Sequence, residues 1–149
     1  LLESILIFQK GKFNYRSIPD EVRQDSKVNL KEFSDKKWYM TLWEMNNVLP
    51  GSVLEKDIAA FPYELPYRII ALFSYKGETV LDPFVGSGTT MKAARDLGRN
   101  SIGMEIKESL ISTIKEKCGF GLGQSDFLSD QEDKLEVLIR EAGEYGPIC

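Results

Sequence analysis

"TVLDPFVGSGTT", Thr79–Thr90, decides how this chain folds. A short apolar run, Val80-Leu81, ends in Asp82 and the aromatic Phe84, then passes through Gly86 and Gly88 into Thr89-Thr90. The run predicts a buried strand over "ETVLDPF" and the glycines a tight turn. "SGTTMKAARDLG" then predicts a helix with Ala93, Ala94 and Leu97 on one face, closed by Gly98. The pattern repeats at once. "NSIGMEI" reads as a second strand, and "KESLISTIKEKCG" as a helix with Leu110, Ile111, Ile114 and Cys118 inward, closed by Gly119. "GLGQSDF" leads to a third strand end and "DQEDKLEVLIREAG" to a last helix. Strand and helix alternating at this pace mean βαβ units and a parallel sheet, an α/β fold.

Toward the N-terminus the pattern is less regular. "LLESILIFQKGKF" (1–13) is strand-like and runs into a Lys-Gly-Lys turn. Residues 14–37 are polar and poorly periodic, a loop or a small subdomain. "KWYMTLWEM" (37–45) places Trp38, Met40, Leu42 and Met45 near a strand period, which predicts a buried strand. Pro50-Gly51 is a turn, and Phe61-Pro62 is rigid and extended. Leu65 to Ser74 is expected to be a helix with Pro66 in its first turn; Ile69, Ile70, Leu72 and Phe73 face a core, and Gly77 stops it.

The 149 residues make one domain or a large piece of one, and their apolar share can fill an ordinary core. The formal net charge of −4 gives no global signal for nucleic acid, and the acidic tail after 119 reads as solvated surface. The absence of His excludes Ser-His-Asp and Cys-His machinery and His-ligated metal, so no metal site is expected. Cys118 and Cys149 match no metal or redox spacing, which fits a reducing cytoplasm. No run reaches membrane-spanning length, so no membrane partner is expected. The chain begins without Met, and a longer parent polypeptide is the expectation.

Three acids, Asp82, Glu105 and Asp126, fall at equivalent strand ends, which a parallel sheet sets side by side along one edge. Singly, each is an ordinary N-cap or loop residue. Together beside a glycine turn they describe a site. Gly86 and Gly88 let the backbone approach a ligand. Glu105, about 20 residues on, suits the two hydroxyls of a ribose. A dinucleotide does not fit: Met91 stands where the third glycine would be, and Asp82 would repel a pyrophosphate. No Lys follows the glycines, so a P-loop fails too. A nucleoside with a cationic amino-acid arm suits Asp82, which points to S-adenosylmethionine, with Asp126 accepting from the adenine amino group.

Over about residues 57–127 the chain strongly resembles the amino-methyltransferases of DNA restriction–modification systems, in the class whose cofactor motifs come late; "DPFVGSGTT" and "LGRNSIGMEI" carry the match. The resemblance implies a Rossmann-like, S-adenosylmethionine-dependent methyltransferase fold. It also implies methyl transfer to the exocyclic amino group of cytosine (N4) or adenine (N6) in duplex DNA. By that likeness Asp82, Phe84, Gly86, Ser87, Gly88, Thr89 and Thr90 form the methionine-binding loop. Glu105 is the ribose acid with Ile106 beside it, Asp126 contacts adenine, and Phe61-Pro62 flanks the methionine end. Phe-Pro leans toward the cytosine enzymes. Residues 1–13 would close a catalytic half, 14–56 would be a short target-recognition region and linker, and 57–149 the cofactor-binding subdomain. Lys27, Lys31, Lys36 and Lys37 would be able to touch phosphates.

Two departures stand out. Asp57 occupies a position where many relatives have His, and the catalytic (Asp/Asn/Ser)-Pro-Pro-aromatic tetrapeptide is absent, because no Pro-Pro occurs in the sequence. No catalytic residue is therefore assigned. The expectation is a partial sheet lacking the catalytic-half strands, completed by a second chain or a missing N-terminal half, and inactive alone. The alternatives are a non-catalytic binding or scaffold subunit, and a fragment of an RNA or small-molecule methyltransferase.

Overall fold

The computed structural model describes residues 3–12, 14–46, 60–120 and 136–138. In chain order the elements are a 3-10 turn (Tyr15–Ser17), α1 (Asp20–Asp25), α2 (Leu30–Asp35), α3 (Glu64–Phe73), β1 (Thr79–Asp82), α4 (Thr89–Asp96), β2 (Asn100–Gly103) and α5 (Ile111–Lys117). A second 3-10 turn, Glu108–Leu110, leads directly into α5.

β1 and β2 pair in parallel, with Val80 opposite Ser101 and Asp82 opposite Gly103. The ladder continues past the strand ends: Met104 N donates to Asp82 O at 2.9 Å, and Val85 N to Met104 O at 3.0 Å. A crossover through a helix, here α4, is the usual route between such strands. α3 and α4 cover one face of the sheet. Their core is Ile70, Ala93 and Ala94, with Tyr63, Tyr67, Val80 and Leu97 packed on it. The expected inward face of α4 is thus present, and alanine is what allows α3 to lie close. On α3 the inward stripe is Tyr63–Tyr67–Ile70, spaced i, i+4, i+7. Phe73 falls outside it and is 57% exposed, so its expected core position is corrected. In α5 the inward residues are as expected, with Leu110 and Cys118 buried.

Gly103 shows how tightly α4 closes on the sheet. A Cβ added there would lie 2.7 Å from Met91 Sδ and 3.0 Å from Val85 Cβ. Gly103→Ala is expected to cost about 1–3 kcal/mol of stability through overpacking, read from the midpoint of urea unfolding.

The N-terminal expectations need correction. Residues 3–10 form no strand, and Ile5, Leu6, Ile7 and Phe8 are exposed. A strand requires a neighbour, and among the described residues none lies alongside. The strand expected over 37–45 is a helix stop instead. Trp38 N donates to Phe33 O at 3.0 Å and Lys37 N to Ser34 O at 3.1 Å, while Lys37 sits at φ 52. Those bonds make a Schellman cap on α2, and its hydrophobic contact is the Phe33–Trp38 edge-on pair at 6.4 Å. Trp38 is buried by that turn, whereas Met40 and Leu42 are exposed.

Residues 14–37 form a small helical subdomain seated on α3. Arg68 lies over both the Trp38 and Trp43 rings, and Glu64 binds Arg68 at 2.8 Å and Lys36 at 3.1 Å. Burial raises the Glu64 carboxyl, but hydrogen bonds from Arg68 and Lys36 outweigh it and hold the carboxyl below its ordinary value. Lys36 also meets Glu32 at 2.7 Å, the largest cause of its raised pKa. An ammonium bound by two carboxylates is a structural tie, so the expected phosphate contact from Lys36 is corrected.

The third strand end, Asp126, the Pro50-Gly51 turn and Asp57 lie outside the described residues. Of the last expected helix only 136–138 are described, and these three are exposed and not helical.

Candidate functional site

The site lies where the two parallel strands end and their chains turn outward. Asp82 closes β1, and its Oδ1 accepts from Phe84 N at 3.0 Å. This Asx turn bends the chain through Pro83 into the glycines. Its second oxygen takes no bond from the described residues and is open to a ligand. Gly86 and Gly88 hold φ of 53 and 88, left-handed conformations that a side chain resists. Gly88 is the N-cap of α4 and lies against α5, where an added Cβ would be 3.3 Å from Ile114 Cα.

Glu105 lies two residues beyond β2. Its Oε2 accepts from Gly86 N at 3.0 Å and its Oε1 from Lys107 N at 2.9 Å. The acid expected to meet a ribose therefore also ties the glycine turn to the end of the second strand. A carboxylate offers about four lone-pair sites, so each oxygen keeps room for a hydroxyl donor. Exposed apolar side chains follow each acid: Phe84 is 86% exposed and Ile106 97%. Phe61-Pro62 immediately precedes α3. Ser87 and Thr90 are buried within the turn, and Thr89 is half-buried.

The fold thus brings Asp82, Phe84, Gly86, Ser87, Gly88, Thr89, Thr90, Glu105 and Ile106 to one edge of the sheet. Asp126 lies outside the described residues. Sequence reading missed Lys117. From the last turn of α5 its Nζ donates to Ser87 Oγ at 2.6 Å. A lysine near a helix C-terminus has an ordinary role with the helix dipole, and no local pattern marks it as reaching another unit's turn.

A cavity of about 400 Å³ lies elsewhere, lined by Trp38, Tyr67, Lys76 and Arg99 among others. It sits near the starts of the strands, opposite the glycine turn, and Arg99 there is spent on Ser74 and Leu97. It plays no part in the rim. Among the described residues no cluster of acids and cysteines could hold a metal, and no helix is long and apolar enough to cross a membrane.

A family model described as DNA methylase, of the N6/N4 methyltransferase group, matches residues 2–116. The Type II methyltransferase M.MjaI of Methanocaldococcus jannaschii is 46% identical over 119 residues, 79% of this chain and 39% of that relative. The Type II methyltransferase M.MthZI of Methanothermobacter thermautotrophicus is 34% identical, covering 96% of this chain and 42% of its own length. Among solved structures, a Thermus thermophilus protein named as a candidate DNA modification methylase, complexed with S-adenosyl-L-methionine, superposes with a TM-score of 0.56. It is 32% identical, and the match spans 74% of this chain and 40% of that one. The chain therefore spans about two fifths of the length of these relatives.

Proposed function

Because the chain belongs to the N6/N4 DNA methylase family, we propose that it is the cofactor-binding portion of a site-specific DNA methyltransferase. The methyl group comes from S-adenosylmethionine and goes to an exocyclic amino nitrogen of cytosine or adenine in duplex DNA. The observation that carries this reading is the convergence of Asp82 and Glu105 on a glycine turn at the ends of two paired parallel strands.

The residues present fit that donor. The two left-handed glycines leave no Cβ between backbone and ligand. The open oxygen of Asp82 suits the ammonium and sulfonium side, and the spare acceptors of Glu105 suit two ribose hydroxyls. Exposed Ile106 and Phe84 offer apolar cover for adenine and the arm. When bound, S-adenosylmethionine supplies a methyl made electrophilic by its sulfonium. The residues of this chain bind and orient; holding the donor in line with the attacking nitrogen is their contribution to rate. Asp126 is assigned the adenine amino group.

Gripping and polarising the base falls to a Pro-Pro-aromatic motif, which this sequence lacks. The base must leave the duplex stack to reach the methyl. We assign that step to a second half or second polypeptide. Leu81, Ile102 and Met104, on the sheet face away from α4, are each more than half exposed, which supports a further layer there. Between the two bases we favour cytosine N4, on the Phe61-Pro62 pair. Mass spectrometry of nucleosides from DNA methylated by the completed enzyme tests this: N4-methylcytosine is expected, and N6-methyladenine overturns it.

Binding is tested directly by titration calorimetry of the chain with S-adenosylmethionine, alone and with the catalytic half supplied. No heat in either arm removes the reading. Asp82→Asn keeps the Asx turn and removes the charge. It is expected to weaken S-adenosylmethionine by about 1.5–3 kcal/mol, the range for a hydrogen bond to a charged group. An unchanged affinity would contradict the placement of the cationic arm.

A further inference from the structure

The proposed ligand is a zwitterion, and Asp82 answers only its positive side. Its carboxylate needs a counterpart. Ser87, in the middle of the glycine turn, is 4% exposed, and its Oγ accepts from Lys117 Nζ at 2.6 Å. With the ammonium occupying one of the oxygen's two lone pairs, the hydroxyl proton turns away from Lys117. Among the described residues nothing accepts it. A buried donor without an acceptor is unfavourable, and a ligand oxygen on the far side of the turn would satisfy it. Lys117 also brings a cationic group to the turn that follows Asp82.

We infer that Lys117 is a positioning residue: it fixes the Ser87 hydroxyl as a donor toward the carboxylate of the methyl donor and makes the site select the zwitterion. This rests on the S-adenosylmethionine reading above. Lys117 touches no ligand itself; it acts through Ser87. Glu105 fixes the neighbouring Gly86 amide in the same turn. The β2–α5 unit thus clamps the turn of the β1–α4 unit at two successive residues, once by an acid and once by a base. The division of labour differs. Glu105 spans turn and ribose, whereas Lys117 acts on the amino-acid arm through Ser87.

The test is calorimetry with two probes, S-adenosylmethionine and its decarboxylated form, which keeps the sulfonium and the ammonium but lacks the carboxylate. The native chain is expected to prefer S-adenosylmethionine by about tenfold or more, the worth of one charge-assisted hydrogen bond. Lys117→Met keeps the apolar stem and is expected to lose that preference. Its affinity for S-adenosylmethionine falls by about tenfold, and that for the decarboxylated form stays within about twofold. Lys117→Arg is expected to restore the preference. Equal weakening of both probes in Lys117→Met would show a purely structural clamp and overturn the inference, as would no change in either. A native chain that binds S-adenosylmethionine without preferring it overturns the inference alone. A native chain that binds neither probe, alone or with the catalytic half supplied, overturns the cofactor reading and the inference with it.

Discussion

Glu105→Ala is expected to weaken S-adenosylmethionine by about 2–4 kcal/mol, roughly thirty- to a thousandfold. The figure exceeds that for loss of a ribose contact alone because the carboxylate has two duties. It accepts from Gly86 N and Lys107 N in the chain itself, and in the proposed complex from two ribose hydroxyls. Truncation strands both backbone donors and frees the turn that the ligand needs in one conformation. Ordering that turn then becomes a cost of binding. Glu105→Gln separates the duties. Its single carbonyl can serve Gly86 N–H or Lys107 N–H but not both, so its affinity should fall between those of the native chain and the alanine variant. Calorimetry checks the order, with circular dichroism confirming that the fold persists. Native affinity in Glu105→Ala would remove both roles at once.

Gly88→Val is the second large effect. At φ 88 a β-branched side chain is far outside its allowed backbone region, and an added Cβ would already lie 3.3 Å from both Cα and Cγ2 of Ile114. The backbone penalty and the clash with α5 act together, so a loss of about 3 kcal/mol or more is expected. Gly77→Ala is the matched control. Gly77 has nearly the same φ of 81 but nothing within 4 Å of an added Cβ, so the backbone term should stand alone at about 1 kcal/mol. Urea unfolding of both variants measures the difference. If the two lose equal stability, the packing of α5 against the turn contributes nothing. S-adenosylmethionine binding should also fall in Gly88→Val and not in Gly77→Ala, because only Gly88 lies in the turn.

The βαβ part was legible for physical reasons that are local. Buried strands and amphipathic helices leave short-range periodicity, and left-handed turns demand glycine, so β1, α4, β2 and α5 fall where the sequence places them. Asp82 and Glu105 could be matched to one rim because parallel register follows from that alternation. The N-terminal third was misread where a tertiary choice overrode a local pattern. Trp38, Met40 and Leu42 mimic a strand, yet the chain caps α2 through Lys37 and buries Trp38 against Phe33, Tyr67 and Arg68. Ile5–Phe8 have strand composition and no partner among the described residues.

By itself the sequence determined the alternation of strand and helix, the glycine turn and the two acids beside it, since hydrophobic period and backbone sterics act between near neighbours. Tertiary structure alone decided that Glu105 would hold Gly86, that Lys117 would reach Ser87 thirty positions back, and that Lys36 would be spent on Glu64. Such contacts join groups distant in sequence, and their geometry exists only after the helices have packed on the sheet.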